Sequence, residues 1–266
     1  MEIDEVPIVR ITEQRRSDFK DTVTVELPIT IILDNRELVT LLCSPAKLDY
    51  LALGFLVSEG LIKSKDDIDS ITIDSERGFA RITSRNNMVI APDLSSPQLI
   101  ASSSGRTLQP YASANGDSPG EIKSGLQISP AEIYTIMDDF VQRSRIFRKT
   151  GGVHSAALSD RQNILLFSED IGRHNAIDKV IGECLAIGLT TDDRIMITSG
   201  RVSSEIILKI ARRNIPVLIS KSAPTTLGVK IAADRGITLI GFVRGSRMNI
   251  YSHPSRVLTG KISQSD

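Results

Sequence analysis

The pattern of hydrophobic and polar positions over residues 20–90 is typical of strands with one helix inserted. TVTVELPITIIL and RELVTLLCS are rich in Val, Ile, Thr and Leu, and the intervening Asp34 and Asn35 predict a hairpin turn between two strands. The stretch AKLDYLALGFLVSEGLI, which follows Pro45, has a broad apolar helical face, and Gly60 predicts its end. SITIDS and FARITS predict two more short strands. This part of the chain is therefore predicted to be β-rich with one helix.

Residues 91–127 have a different composition, dense in Ser, Gly, Pro, Asn and Asp. Loops longer than about 12 to 15 residues are uncommon inside compact domains and are usually functional or disordered. The segment is predicted to be a long mobile loop. It separates the β-rich portion, residues 1–90, from a second portion, residues 128–266.

Helical and strand patterns alternate regularly through residues 128–252. Ser129 and Pro130 open a helix as N-cap and first residue, and His154 is placed near another helix start. Continuous apolar strands such as RIMITSG and IPVLISKS, each followed by a helix, are typical of a sheet covered on both faces. The fold class predicted for this portion is α/β, a three-layer α/β/α sandwich.

Composition narrows the classes of protein to consider. The chain carries 32 basic and 32 acidic residues, has no Trp, and is only 4% aromatic. A zero net charge and few stacking rings argue against nucleic acid as a partner. No apolar run approaches the roughly 18 residues of a membrane helix, and the acidic start MEIDEVPIVR does not resemble a signal peptide. A cytoplasmic protein without a membrane partner is expected.

Polar residues follow each of four predicted strands, 164–168, 195–198, 217–220 and 237–243. If these strands are parallel neighbours, the four following loops converge on one edge of the sheet, where ligands of such folds bind. The loops offer glycines and serines before helix starts, an acid at Asp170 or Asp178, and the arginines Arg173, Arg201, Arg244 and Arg247. This set suits a phosphorylated nucleotide ligand. The alternative is that these residues are helix caps and surface charges.

Two histidines raise other possibilities. His154 and His174 form a candidate metal pair, but no third His or suitable Cys is near in sequence, so no metal site is predicted. Ser155 and His174 would be a nucleophile and its base, yet no GxSxG elbow is present. The two cysteines, Cys43 and Cys184, lie in apolar patterns and are predicted to be buried structural thiols.

The stretches TGGVHSAAL, EDIGRHNAIDKVIG, SGRVSSEIILKIA, SKSAPTTLGVKIA and GFVRGSRMNIYS occur here in one order, after LCSPAKLDYLALGFLVSEGLI. In this the chain closely resembles the formate dehydrogenase accessory proteins of the FdhD/NarQ type over roughly residues 20–252. The resemblance implies a cytoplasmic homodimer with a cytidine deaminase-like fold. It also implies transfer of sulfur from a cysteine desulfurase to Mo-bis(molybdopterin guanine dinucleotide), for use by formate dehydrogenase.

The resemblance also assigns residues. It places the cofactor-binding stretch on Phe242, Val243, Arg244, Gly245, Ser246 and Arg247. The neighbouring strand-end loops would line the same pocket with Gly172, Arg173, His174, Asn175, Asp178, Ser199, Gly200, Arg201 and Ser222. Guanine nucleotides are expected to act as partial mimics of this cofactor.

One departure from the family pattern concerns the sulfur step. Family members often carry cysteines in the long loop, whereas Ser104 and Thr107 stand at the matching places here. A serine hydroxyl cannot hold a persulfide, so the catalytic residue is unknown. Three functions follow as hypotheses: a sulfurtransferase for the molybdenum cofactor, a non-enzymatic chaperone of that cofactor, and a zinc-free nucleotide hydrolase or deaminase suggested by fold analogy alone.

Overall fold

The computed structural model describes residues 2–85, 98–100 and 120–258. Within them, the strands are β1 (Ile3–Thr12), β2 (Arg15–Thr24), β3 (Leu27–Leu33), β4 (Arg36–Cys43), β5 (Ile68–Asp74), β6 (Phe79–Ser84), β7 (Gln98–Ile100), β8 (His154–Ser159), β9 (Ile164–Asp170), β10 (Ile195–Thr198), β11 (Val217–Ser220), β12 (Thr238–Arg244) and β13 (Arg247–Ser252). The helices are α1 (Leu48–Ser58), α2 (Pro130–Arg143), α3 (Arg145–Thr150), α4 (Arg173–Ile187), α5 (Ser204–Arg212) and α6 (Thr226–Asp234).

The centre of the fold is a six-stranded sheet of order β13-β12-β11-β10-β8-β9. Strands β10, β11 and β12 are parallel neighbours, and β8 is antiparallel to both β10 and β9. Helix α2 packs its apolar side on one face of this sheet, while α4, α5 and α6 pack on the other. The predicted three-layer α/β/α sandwich is confirmed. Its cytidine deaminase-like character stays an expectation.

A second sheet, of order β5-β6-β3-β4-β7, covers the layer of helices from outside. Helix α1 lies between this sheet and α4 and is apolar on every side, as expected of a helix buried all round. Its glycine, Gly54, meets Gly182 of α4: a Cβ at Gly54 would lie 1.8 Å from the carbonyl oxygen of Asp178, and one at Gly182 1.9 Å from that of Tyr50. The two backbones therefore touch at this crossing.

The hairpin predicted at Asp34 and Asn35 is confirmed. Strands β3 and β4 pair antiparallel, and both turn residues have left-handed φ angles, 49° and 65°, as a two-residue type I′ turn requires. The single strand expected over TVTVELPITIIL is wrong, because the chain changes sheets within it. Strand β2 ends at Thr24 and pairs with β1, whereas β3 begins at Leu27 and pairs with β4 and β6.

The long helix expected after Ser129 begins as predicted, with a capping box between Ser129 and Glu132. It is interrupted at Ser144, whose hydroxyl donates to the carbonyl of Phe140 and lies 2.9 Å from the Ser155 hydroxyl. Such side-chain bonds compete with the helical ladder, and a separate short helix, α3, follows. The placement of His154 near a helix start is also wrong, since it is the first residue of β8.

No helix in the described part of the chain combines the length and apolarity that crossing a membrane requires. The division into residues 1–90, 91–127 and 128–266 stays a prediction. One continuous hydrophobic cluster nevertheless joins β3, β4 and α1 to α4, α5 and one face of the six-stranded sheet.

Candidate functional site

Three parallel strands, β10, β11 and β12, end side by side. Hydrogen bonds connect the loops that follow them. The Lys221 amide donates to the Thr198 carbonyl (3.1 Å), and the Phe242 amide donates to the Ser222 carbonyl (3.1 Å). On the other side of β10, the Ser199 amide donates to the carbonyl of Ser155, in β8 (3.0 Å). These strand ends, with the start of β8, form one continuous edge, which we call the site edge.

Strand β9 ends at the same edge, but it is not a neighbour of β10. Strand β8 lies between them, and β9 runs parallel to β10 because both are antiparallel to β8. The expectation of four adjacent strand ends is therefore corrected to three adjacent ends plus one beyond β8. Continuous apolar strands give no sign of an antiparallel insertion, so the pattern of the sequence could not reveal this order.

The end of β12, next to its turn into β13, contains local backbone strain. Phe242 has φ 54°, a left-handed conformation that is rare for a bulky residue, and the β12–β13 register shifts between Gly241 and Arg244. Bulges of this kind redirect neighbouring side chains, and such strain tends to occur at functional sites. The hydroxyl of Tyr134 holds the turn from α2 by donating to the Ser246 carbonyl (2.7 Å). Sequence reasoning missed Tyr134, which lies 112 residues away.

Arg244 and Arg247 lie directly opposite each other across this turn, and both are exposed. Like charges at opposed positions of a sheet repel each other. Arg244 Nε donates to the backbone carbonyl of Lys221 (3.4 Å), which ties the arginine to the loop after β11. Two cations at a strained strand end are suited to an anion with several phosphate oxygens.

Arg173 and Arg201 form a second basic pair beside the end of β10. This strand lies two strand spacings, roughly 10 Å, from β12. The side chain of Arg173, at the start of α4, packs against Gly200, where a Cβ would come within 2.8 Å of the arginine Cβ. Arg201 follows and is exposed. Burial lowers the pKa of Arg173, nearby Arg201 lowers it further, and Glu205 opposes both. The structure thus brings Arg173, Gly200 and Arg201 together as the sequence predicted.

Ser199 and His154 complete this part of the site edge. The Ser199 hydroxyl accepts the Ser155 amide proton (2.9 Å) and lies 3.5 Å from His154 Nδ1. Burial and nearby Arg173 lower the pKa of His154, while Asp170 opposes them. His154 is therefore a neutral imidazole at neutral pH. Ser155 is itself buried and bonded to Ser144, so it offers no exposed nucleophile.

His174 is placed deeper, with only 7% of its surface exposed. Burial lowers its pKa to about 3, and the neighbouring charges of Lys209, Arg173 and His154 act in the same direction. Its Nε2 is 3.7 Å from a Glu205 carboxylate oxygen, beyond hydrogen-bond distance. Burial also raises the pKa of Glu205.

His174 is expected to make the fold sensitive to acid. Its pKa of about 3 is below the usual value of 6.5, so the unfolded chain binds more protons between these pH values. Stability is therefore full above pH 6.5 and falls as the pH drops towards 3, by about 2 kcal/mol at pH 5. Urea unfolding from pH 7 to pH 5 should show this slope in the wild type and a smaller slope in His174→Gln. Equal slopes in the two proteins would contradict the assignment.

Asn175 and Asp178 face the protein interior rather than the site edge. The Asn175 amide donates to the Leu42 carbonyl (2.8 Å) and to Asp170 Oδ1 (2.9 Å). The Asp178 carboxylate accepts from the Ser58 hydroxyl (2.6 Å) and pairs with Lys209 Nζ (2.5 Å). Both residues bind α4 to its neighbours, and their role as cofactor contacts stays a prediction.

Asp170, the other acid suggested as a ligand, is also fully buried. One of its oxygens accepts from the Ser44 amide (3.0 Å) and pairs with Lys179 Nζ (2.6 Å). The other accepts from the Gly172 amide (2.8 Å), so that N–H at the start of α4 is already satisfied. Ser222 is half-buried at the site edge, and its amide donates to Ser220 Oγ (2.9 Å).

Both cysteines of the chain are inaccessible. Cys43 and Cys184 are each 0% exposed, and burial raises the pKa of each thiol to about 12. Near Cys43, Asp170 adds to the shift and Lys179 opposes it. The predicted buried structural thiols are confirmed. Ser104, at the expected place of the family cysteine, lies outside the described residues. Within the described ranges, no three His, Cys, Asp or Glu side chains group as metal ligands.

The chain is similar in sequence and in structure to known proteins. The model of the FdhD/NarQ family matches residues 24–258. Two proteins of Staphylococcus aureus named sulfur carrier protein FdhD, from strains MRSA252 and JH9, are 39% and 38% identical over 252 residues, covering 95% of this chain and 95% of each relative. A crystal structure assigned as a formate dehydrogenase accessory protein of Desulfotalea psychrophila has a TM-score of 0.80 at 25% identity, covering 97% of this chain and 100% of that chain. This chain belongs to the FdhD/NarQ family.

Proposed function

We propose that this protein is a formate dehydrogenase accessory protein that binds Mo-bis(molybdopterin guanine dinucleotide) as its cargo at the site edge. The names of the relatives, sulfur carrier protein and formate dehydrogenase accessory protein, support this role. The cargo presents two guanine nucleotides, each with a pyrophosphate. The observation that carries the proposal is the opposed pair Arg244 and Arg247 on a strained turn.

Each of the two basic groups would bind a different part of this cargo. Arg244 and Arg247 would hold one pyrophosphate, because guanidinium forks match phosphate oxygens in pairs. Arg173 and Arg201, roughly 10 Å away, would hold further phosphate or pterin oxygens. The Ser246 hydroxyl and the exposed Gly245 backbone allow close approach of the ligand to the turn. Binding at this place fits the strand-end rule for sheets of this kind.

The Arg244→Ala and Arg247→Ala substitutions are expected to weaken binding of GDP, used as a mimic of the guanine nucleotide half, by about tenfold or more each. The physical reason is that each loses a charge-assisted hydrogen bond, about 1.5 to 3 kcal/mol. Isothermal titration calorimetry at fixed salt measures the effect. Arg77→Ala removes an exposed arginine of the β5–β6 turn and serves as the matched control. Unchanged GDP affinity in both site variants would contradict the proposed site.

The structure favours a cofactor chaperone over a sulfurtransferase acting through its own thiol. Sulfur transfer needs a thiolate that can reach both donor and acceptor, and it becomes a persulfide on the way. Cys43 and Cys184 are enclosed in the hydrophobic core, and their raised pKa keeps them as thiols at neutral pH. In this proposal the cysteine desulfurase delivers sulfur through a thiol of another protein. This chain then holds the cofactor in the cytoplasm until formate dehydrogenase receives it.

A further inference from the structure

The starts of α4 and α5 come together at the site edge, and one acid lies between them. Glu205 is in the first turn of α5, and only 26% of its side chain is exposed. Burial raises its pKa, while the nearby charges of Lys209 and Arg173 oppose that shift. Its carboxylate is therefore close to the start of α4, where Arg173 packs against Gly200. A carboxylate repels phosphate oxygens and attracts N–H groups, so a ligand group that donates hydrogen bonds suits this place.

Glu205 differs from the other acids near the site edge in its hydrogen bonds. Asp170 and Asp178 are buried and accept hydrogen bonds from several groups. Both carboxylate oxygens of Glu169 accept backbone amides at the start of α3. Within the described ranges, no group donates a hydrogen bond to the Glu205 carboxylate, and His174 Nε2 lies 3.7 Å from it. A carboxylate that is largely buried without a donor is costly, and a ligand with N–H groups would remove that cost.

Two more polar atoms at the same place have no hydrogen-bond partner among the described residues. His174 is 7% exposed, and its Nε2, which is directed towards Glu205, makes no hydrogen bond. The hydroxyl of Ser203, the N-cap residue of α5, is also buried without a partner, so it does not cap the helix. Backbone N–H groups in the first turn of α5 therefore lack this cap. The same turn thus presents hydrogen-bond donors beside the acceptor oxygens of Glu205.

We propose that Glu205 binds the 2-amino-4-oxopyrimidine edge that guanine and pterin share. This inference rests on the proposed function, whose cargo contains both rings. On that edge, a ring N–H and an amino group lie next to a carbonyl oxygen. The carboxylate accepts from the two donors, and an N–H at the start of α5 donates to the carbonyl oxygen. His174, buried beside the carboxylate, limits its access to water, which strengthens these hydrogen bonds.

The position of Glu205 agrees with the phosphate contacts proposed above. The loop before it follows β10, which lies roughly 10 Å from β12 and its arginine pair. One nucleotide spans such a distance between its base and its phosphates. Adenine has the opposite pattern, an acceptor nitrogen beside an amino group, and would set a lone pair against the carboxylate. A site with largely buried polar groups rejects a ligand that leaves them unpaired, so the same contact gives selectivity for the shared edge.

Glu205→Gln tests this contact by changing one acceptor of the side chain into a donor. If guanine is the ring bound, the affinity of the full chain for GDP should fall at least about tenfold in calorimetry. Affinity for xanthosine diphosphate, which has a carbonyl in place of the amino group, should rise at least about tenfold, because glutamine donates to that carbonyl. Misfolding cannot produce such a gain. Glu76→Gln changes an exposed glutamate of the β5–β6 turn and should leave both affinities unchanged.

A second probe, neopterin, separates the two rings, because it has the pterin edge and no phosphate. Unchanged GDP affinity with neopterin binding at least about tenfold weaker in Glu205→Gln would assign the contact to pterin. Unchanged affinity for both probes, or equal losses for GDP and xanthosine diphosphate, would overturn the proposal. GDP affinity that depends on Arg244 and Arg247, while neither probe depends on Glu205, would overturn this inference alone. GDP affinity independent of both arginines would contradict the proposed function instead.

Discussion

Asp178→Ala is expected to lower the free energy of unfolding by about 3 to 5 kcal/mol, the cost of leaving one charge of a buried pair uncompensated. The Asp178 carboxylate pairs with Lys209 Nζ at 2.5 Å, and the two residues are 1% and 4% exposed. With the carboxylate removed, the buried lysine ammonium loses its ion-pair partner, and Glu205, one turn earlier in α5, is an acid still near it. Chemical denaturation at neutral pH measures the loss.

Two further variants separate the charge from the hydrogen bond. Ser58→Ala removes the 2.6 Å bond to Asp178 but leaves the ion pair, so we expect a loss of only about 1 to 2 kcal/mol. Combining Asp178→Leu with Lys209→Met replaces both charges by apolar groups and should cost less than Asp178→Ala alone. If Asp178→Ala unfolds like the wild type while abolishing GDP binding, Asp178 is a ligand contact and the structural role is wrong.

Gly54→Ala is expected to cost about 3 kcal/mol or more, at the upper end of overpacking effects. Helix propensity alone would favour alanine by about 1 kcal/mol. Sterics reverse the sign, because the new Cβ would lie 1.8 Å from the Asp178 carbonyl oxygen and 2.5 Å from its carbon, both backbone atoms of α4. The helices would have to separate, which disturbs the core that α1 shares with the five-stranded sheet. Thermal unfolding gives the measurement.

Gly125→Ala is the matched control for this substitution. A Cβ at Gly125 would meet no atom within 4 Å, and its φ is not in the left-handed region. Its stability should stay within about 0.5 kcal/mol of the wild type. A Gly54→Ala protein as stable as Gly125→Ala would show that α1 and α4 are not in backbone contact.

Local signals in the sequence predicted those elements whose geometry is decided locally. The hairpin at Asp34 and Asn35 followed from turn chemistry, and the start of α2 followed from the Ser129 cap, because each depends on residues within a few positions. The position of β8 between β9 and β10 depends on pairing between distant segments. Apolar strands of this kind are compatible with several orders in the sheet.

For the candidate site too, the sequence predicted what depends on nearby residues but not what depends on distant ones. The sequence correctly placed Arg173 beside Arg201 and Arg244 beside Arg247, since these residues follow strands that end at one edge. It could not show that Asp178 points away from that edge. Helix α4 is enclosed by α1, α5 and the sheet, so its polar residues also face inward, and burial of a polar residue depends on partners such as Lys209 that lie far along the chain.

The hairpin formed by β1 and β2 was missed for a related reason. Its polar and apolar residues alternate, but no position in either strand is buried, so hydrophobic periodicity gives little contrast. The glycine at position 54 did carry a signal in the sequence. A glycine inside an otherwise strong helical pattern often marks a close approach of another backbone, and Gly182 in α4 provides its partner.

Formate dehydrogenase activity in a strain that lacks its own accessory protein of this family tests the central claim most directly. The claim is that this chain binds the cofactor through its arginines and carries no sulfur on its own thiols. The strain should regain activity with the wild-type chain and equally with the Cys43→Ala, Cys184→Ala variant, but not with Arg244→Ala, Arg247→Ala at matched protein levels. Activity that requires either cysteine, or that survives loss of both arginines, would contradict the account.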